Sequence, residues 1–262
     1  QQTIKPYLHH HKTCKVLDPA CGSGIFLVET LRSIIENNLQ GREYYDDNEE
    51  LLSLLTENIF GVDKNQEAIN VAIFSLYLTL LEYKDPKSLR NFKLPQLKNE
   101  NIFVDDFFLP TVHESLGDKT FDFIIGNPPW GQIHGPHIDY CENHNIPVSN
   151  KEISRSFIAR TKDFSTEATQ CCLIVTSNIF YKSRRPAKKF REWLLTETKI
   201  EQLMELAAVR SLIFRNAQGP AAVIFYRFTE NESHEMRHLT LKPNMFFRLF
   251  QIMVIETNDM KM

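Results

Sequence analysis

The sequence predicts an α/β fold: a seven-stranded, mostly parallel sheet with helices on both faces and an antiparallel hairpin at one edge. Two observations predict it. Short apolar runs alternate with stretches of helical period from residue 15 to about residue 228, the pattern of repeated βα units. The last two apolar runs are joined by Ala207–Pro220, which has little helical character, so that final pair should turn back antiparallel.

Strands are expected, in order, at Lys15–Leu17, Ile59–Val62, Ile102–Val104, Phe121–Gly126, Cys172–Thr176, Ile200–Leu206 and Ala221–Phe228. Helical period places helices near Gly24–Asn38, Gln66–Tyr83, Glu152–Glu167 and Arg185–Thr196. Two irregular insertions interrupt the alternation: the acidic stretch Glu43–Glu50, and Gly131–Asn150, rich in His, Pro and Asn. The second directly follows Asn127-Pro128-Pro129-Trp130, and long loops beside such turns often serve as lids or substrate contacts. Residues 1–230 are expected to form one catalytic domain and 231–262 a C-terminal extension, the start of a linker or of a truncated domain. The first residue is Gln1 rather than Met, which suggests a piece of something longer.

Composition bounds the function. With 42% hydrophobic and 24% charged residues over 262, the chain is an ordinary globular protein able to bury a sizeable core. No run approaches the roughly 18 apolar residues of a membrane span, and no signal peptide opens the chain, so a cytoplasmic location with no membrane partner is expected. Cys14, Cys21, Cys141, Cys171 and Cys172 contain no CxxC pair and read as reduced thiols. A net charge of −3 excludes a protein that grips nucleic acid over its whole surface; any such contact must be local.

Val16-Leu17-Asp18-Pro19-Ala20-Cys21-Gly22-Ser23-Gly24 runs from a strand through a tight turn into a helix, where glycines let a ligand approach backbone amides. Leu27 stands where the dinucleotide fingerprint wants a small residue, which disfavours a nicotinamide cofactor. Asp63 ends the next strand, placed to accept hydrogen bonds from ribose hydroxyls. Asp106 follows the third and precedes Phe107 and Phe108, suited to holding an adenine amino group while a ring packs on its face. Taken singly, each acid also reads as a helix cap or solvated turn; their order at successive strand ends carries the argument.

Phe121-Asp122-Phe123-Ile124-Ile125-Gly126-Asn127-Pro128-Pro129-Trp130 is a buried strand ending in a polar-Pro-Pro-aromatic turn, where open α/β sheets bind ligands. The prolines make the turn rigid, so the Asn127 side-chain oxygen and the Pro128 carbonyl can both face one amino group. An exocyclic adenine amine is a poor nucleophile because its lone pair is delocalised into the ring. Paired acceptors favour a tetrahedral nitrogen and stabilise the positive charge that develops during attack, without a strong general base.

The order Asp-Pro-Ala-Cys-Gly-Ser-Gly, Gly61-Val62-Asp63, Asp106-Phe107 and Asn127-Pro128-Pro129-Trp130 resembles the gamma-class adenine-N6 DNA methyltransferases, especially the modification domains of type IIG restriction-modification enzymes, over roughly residues 15 to 228. The resemblance implies a Rossmann-like methyltransferase sheet and S-adenosyl-L-methionine as cofactor. The cofactor would lie across the loop of Asp18, Pro19, Ala20, Cys21, Gly22 and Gly24, with Asp63 on its ribose and Asp106 and Phe107 on its adenine. It also implies double-stranded DNA as partner, with the target adenine flipped toward Asn127 and stacked on Trp130, in a bacterial or archaeal restriction-modification system. A second stacking aromatic would match Phe214, which reads equally well as a core residue. Two departures stand out. Only 14 residues precede the first strand, and no target-recognition domain follows residue 230, so recognition is expected from a domain or subunit missing from this chain.

Lys182, Arg184, Arg185 and Lys188, with Lys189 and Arg191, form the densest basic stretch and could meet DNA phosphates; Glu192 beside them also allows a solvated helix face. His134, His137, Cys141 and His144 have a spacing that zinc could use, but the chemistry above needs no metal. Two other functions fit parts of the pattern: methylation of a protein glutamine amide, whose enzymes usually carry Tyr in place of Trp130, and an inactive cofactor-binding module of a larger assembly.

Overall fold

A computed structural model describes residues 4–148, 152–210, 219–229 and 234–242. The chain divides into two compact units, Gln1–Gly126 and Asn127–Met262.

The first unit runs α1 (Ile4–Leu8), β1 (Val16–Asp18), α2 (Ile25–Asn38), α3 (Asn48–Thr56), β2 (Ile59–Asp63), α4 (Gln66–Glu82), β3 (Ile102–Val104), α5 (Pro110–Leu116) and β4 (Phe123–Gly126). Its strands lie in the order β3-β2-β1-β4. All three pairings are parallel, with Val16 opposite both Ile59 and Phe123, and Gly61 opposite Ile102. β1 and β4 are buried along their whole length, which is why they read as unbroken apolar runs. The order reverses beside β1: the chain steps outward through β2 and β3, then returns to β1's other side as β4. Such a reversal opens a crevice at the carboxyl ends of the strands.

Local signals start the helices. Asn65 caps α4 by accepting from the amides of Glu67 and Ala68. Asp47 caps α3 in the same way through Glu49 and Glu50, whose charges also suit a helix N-terminus. The acidic stretch Glu43–Glu50 is therefore not irregular throughout: its end is the first turn of α3, which buries Leu51, Leu54 and Leu55.

The second unit contains α6 (Pro136–Asn143), α7 (Ile153–Arg160), β5 (Gln170–Thr176), α8 (Asn178–Tyr181), α9 (Arg185–Glu197), β6 (Lys199–Glu205), β7 (Ala221–Arg227) and β8 (Arg237–Thr240), with its strands in the order β5-β7-β6-β8. β6 and β7 pair antiparallel, as the low helical character of the sequence between them predicts, and β7 is also antiparallel to β5. Trp130, Met204 and Val223 pack here against a small core of Leu206, Val209, Ala221 and Leu241.

Three further expectations need correction. The described residues hold eight strands rather than seven: β8 pairs parallel with β6 and so lies outside the antiparallel pair expected at the edge. Its four residues bury only Leu239, too weak an alternation to read. The supposedly irregular Gly131–Asn150 contains α6, which starts at Pro136 and buries His137, Tyr140 and Cys141 on one face. The helix expected over Glu152–Glu167 ends early, α7 giving way at Thr161–Phe164 to a tighter 3-10 turn. Every residue of α7 is buried, Arg155 and Arg160 included, so no amphipathic period marks its length.

Candidate active site

The loop after β1 is held from several sides. Asp18 is fully buried. Its Oδ1 accepts from the Ala20 amide at 3.0 Å, while Oδ2 has no hydrogen-bond partner among the described residues. Burial pushes its carboxyl up from 3.8 to about 8; the Ala20 amide opposes this and neighbouring Asp63 adds to it. Asp18 fits only because β4 ends in glycine: a Cβ on Gly126 would lie 2.6 Å from Asp18 Oδ1. The Cys21 amide donates to the Val62 carbonyl at 3.0 Å, laying the loop along β2. The Cys21 thiol is buried, and burial, with Asp18 and Asp63 nearby, pushes its pKa up and keeps it an unreactive thiol.

Asp63 ties two loops together. Its Oδ2 accepts from the Gly22 amide at 2.9 Å and its Oδ1 from the Asn65 amide at 2.8 Å. The two loop glycines differ. Gly22, at φ +52°, faces open space; Gly24, at φ +83°, would place a Cβ 2.9 Å from the Cβ of Ala72 on α4. Gly24 thus serves the packing of α2 on α4, and Gly22 is the loop position with room beside it. Within the loop Pro19 is buried and Ala20 half-buried. Past β3, Asp106 is half-buried and its Oδ1 accepts from the Phe108 amide at 3.1 Å. Phe107 is only 2% exposed and meets Phe108 edge-on, so its ring belongs chiefly to the core.

In the second unit, Asn127 opens the motif one residue past Gly126. Asn127 and Pro129 are exposed, Pro128 is buried and Trp130 is half-buried. The Trp130 indole Nε1 donates to the Ile174 carbonyl on β5 at 3.2 Å. Beyond it, the Gly131 amide donates to Glu152 Oε1 at 2.9 Å, and the Gly131 carbonyl accepts from the Ile153 amide at 3.1 Å. The far end of the turn is therefore anchored by the start of α7. Glu152 carries no sequence signal beyond preceding a helix. Phe214 lies outside the described residues.

Lys182, Arg184, Arg185 and Lys188 are all exposed, while α9 turns Ala187, Phe190 and Leu194 inward. Arg191 is committed to structure, its Nη1 donating to the carbonyls of Ile179 and Lys182. A cleft of about 520 Å³ is lined by Lys182 and Arg184 together with Arg155, a residue that no sequence pattern marks. The residues His134, His137, Cys141 and His144 do not converge: His144 Nδ1 meets the Tyr140 carbonyl at 2.8 Å, and His137 and Cys141 are buried in α6. Among the described residues no three His, Cys, Asp or Glu side chains are grouped to hold a metal ion, and no helix is long and apolar enough to cross a membrane.

A parallel sheet with a glycine turn after its first strand, acids after the next two and Asn-Pro-Pro-Trp after β4 defines an α/β methyltransferase fold. Residues 57–212, more than half of the chain, match the Eco57I restriction-modification methylase family, and the chain belongs to it. It is 27% identical over 196 residues to the type II methyltransferase M.BstVI of Geobacillus stearothermophilus, an alignment covering 73% of this chain and 33% of that protein. The M protein of the type I restriction enzyme EcoKI shares the fold with a TM-score of 0.64 and 14% identity over 91% of this chain and 46% of its own. The type IIL restriction-modification enzyme MmeI, solved in complex with DNA, gives 0.61 and 18% over 90% of this chain and 34% of its own. The chain thus spans between a third and a half of these relatives' lengths.

Proposed function

We propose that this chain is the catalytic part of a site-specific DNA methyltransferase, which transfers a methyl group from S-adenosyl-L-methionine to the N6 amine of an adenine flipped out of double-stranded DNA. The observation that carries the reading is Asn127, an exposed amide directly after the buried strand β4, in a turn fixed by two prolines and by Glu152. Target recognition would come from another domain or subunit of the same restriction-modification system.

The loop after β1 fits the cofactor. Gly22 leaves space beside the backbone, and Asp63, held by the Gly22 and Asn65 amides, stands at the end of β2 where a ribose would be recognised. When bound, S-adenosyl-L-methionine supplies an electrophilic methyl group on a sulfonium. The remaining chemistry belongs to the chain. Asn127 Oδ1 and the Pro128 carbonyl would accept the two N–H bonds of the adenine amine, localise its lone pair and stabilise the charge that develops as the N–C bond forms and the methyl–sulfur bond breaks, its electron pair staying with the departing thioether. The surplus proton leaves to water. Trp130, fixed through Ile174 and packed against the core of Leu206, Val209, Ala221 and Leu241, offers a rigid ring on which the extruded base can stack. Lys182, Arg184, Arg185 and Lys188 supply phosphate contacts.

The test is transfer of tritium from labelled cofactor to adenine in unmethylated DNA by the full-length protein. Asn127→Ala is expected to slow transfer by about 10²–10³-fold, as removal of one stabilising group in a transition state typically does, while cofactor affinity by calorimetry stays unchanged. Full activity in that variant, or methylation of protein glutamine with none of DNA, overturns the proposal.

A further inference from the structure

The cleft in the second unit is built for an anion. Gln132, Glu152, Arg155, Lys182, Ser183 and Arg184 line it, in a volume of about 520 Å³. Three of these side chains are cationic and one is anionic. Glu152 Oε1 accepts from the Gly131 amide at 2.9 Å and from the Ser154 hydroxyl at 3.3 Å, and its charge also acts on Arg155, so the cleft carries a net charge of two positives. Arg155 is 4% exposed, its guanidinium lying over the Phe190 ring at 5.4 Å. That ring stiffens a side chain that would otherwise lose much rotamer freedom on binding. The cleft also sits at the N-terminus of the 13-residue helix α9, with Arg184 at its N-cap and Pro186 and Ala187 in the cleft wall. A helix N-terminus favours negative charge.

The cleft is joined to the catalytic turn by short covalent and hydrogen-bonded links. Gln132 stands two residues after Trp130 and forms a bridge with Glu152. Glu152 in turn holds the Gly131 amide. An anion seated between Arg155, Lys182 and Arg184 would therefore be in register with Asn127-Pro128-Pro129-Trp130.

We propose that this cleft binds one phosphodiester of the DNA strand that carries the target adenine, with Arg155 as its buried anchor and Lys182 and Arg184 closing over it. The proposal rests on the DNA methyltransferase reading above. It separates the basic stretch into parts: Lys182 and Arg184 grip one defined phosphate in the cleft, whereas Arg185 and Lys188, which do not line it, meet the DNA backbone elsewhere. One bound phosphodiester fixes the strand's backbone relative to the turn. That is what a base swung out of the stack needs in order to arrive in one orientation.

The experiment measures DNA affinity of the full-length protein against KCl concentration, with cofactor affinity as the folding control. Lys182→Gln/Arg184→Gln changes two exposed side chains and should fold normally. Each phosphate contact contributes about 0.9 to the log–log slope, so the double variant should lower the slope by about 1, while Lys162→Gln, outside the cleft, keeps the parent value. Arg155→Gln should lose a similar amount. Should it fail to fold, the double variant decides alone. A parent that binds DNA with the same slope as the double variant overturns the cleft and leaves the methyltransferase reading intact. A parent that neither binds nor methylates DNA overturns both. Saturable binding of inorganic phosphate that the double variant loses, with an unchanged DNA slope, assigns the cleft to free phosphate and also overturns the DNA contact.

Discussion

Asp18→Asn isolates the cost of a buried carboxyl. The side chain is fully enclosed, one oxygen bonded to the Ala20 amide and the other without a partner among the described residues. Burial raises its pKa from 3.8 to about 8. Between those values the folded chain keeps a proton that the unfolded chain has released. The unfolded state binds fewer protons there, so stability falls as pH rises and stops falling above about pH 8. Every tenfold change in proton affinity corresponds to about 1.4 kcal/mol, which makes the full penalty on the order of 5 kcal/mol. Asparagine preserves the shape and an acceptor for Ala20 but cannot ionise. In urea unfolding of both proteins without cofactor, the variant should gain on the parent by about 3 kcal/mol between about pH 5.5 and about pH 8. Other titrating groups are common to both chains and cancel in the difference. A stability difference that stays flat across that interval refutes the argument.

Two further outcomes follow from the same geometry. Gly24→Ala forces a left-handed backbone and a Cβ contact of 2.9 Å with Ala72, and should cost about 2–4 kcal/mol in urea unfolding, whereas Gly22→Ala, with open space around it, should cost only about 1 kcal/mol; equal losses would show that packing on α4 is not the reason for Gly24. Trp130→Phe keeps a ring against the core of Leu206, Val209, Ala221 and Leu241 but loses the hydrogen bond to Ile174, so about 1 kcal/mol of stability should go. Methyl transfer should fall in Trp130→Phe by less than in Trp130→Ala, and equal transfer rates in the two would remove the stacking role.

The first unit was legible because its strands are buried on both faces and its helix starts carry caps. β1, β2 and β3 fall within a residue or two of the expected positions, and β4 begins two residues later than Phe121. In the second unit the signals fail for identifiable reasons. α7 is buried all round, so it has no polar face whose repeat could mark its end. α6 hides in a run of His, Pro and Asn that composition marks as loop, although Pro136 is well suited to a first helical turn. β8 buries a single leucine, and its place beside β6 is a long-range pairing that no local pattern encodes.

The site shows a subtler limit. Sequence alone assigns the loop glycines one purpose, the approach of a ligand. The structure divides that purpose: Gly24 makes room for Ala72, and Gly22 has nothing within 4 Å of its would-be Cβ, while Gly126 at the end of β4 makes room for the Asp18 carboxyl. The same holds for the acids. Asp63 joins the loops after β1 and β2 by accepting from Gly22 and Asn65, so any ribose contact would use a carboxylate already fixed in place. Asp18, by contrast, is fully enclosed. Its buried carboxyl holds the turn through Ala20, beneath the glycine that ends β4. A motif letter therefore reports where a fold cannot tolerate another side chain, and only the space left beside it separates binding from packing. By that criterion Gly22 is the loop position with room for the proposed cofactor, and a bulky substitution there should weaken cofactor binding more than it destabilises the fold.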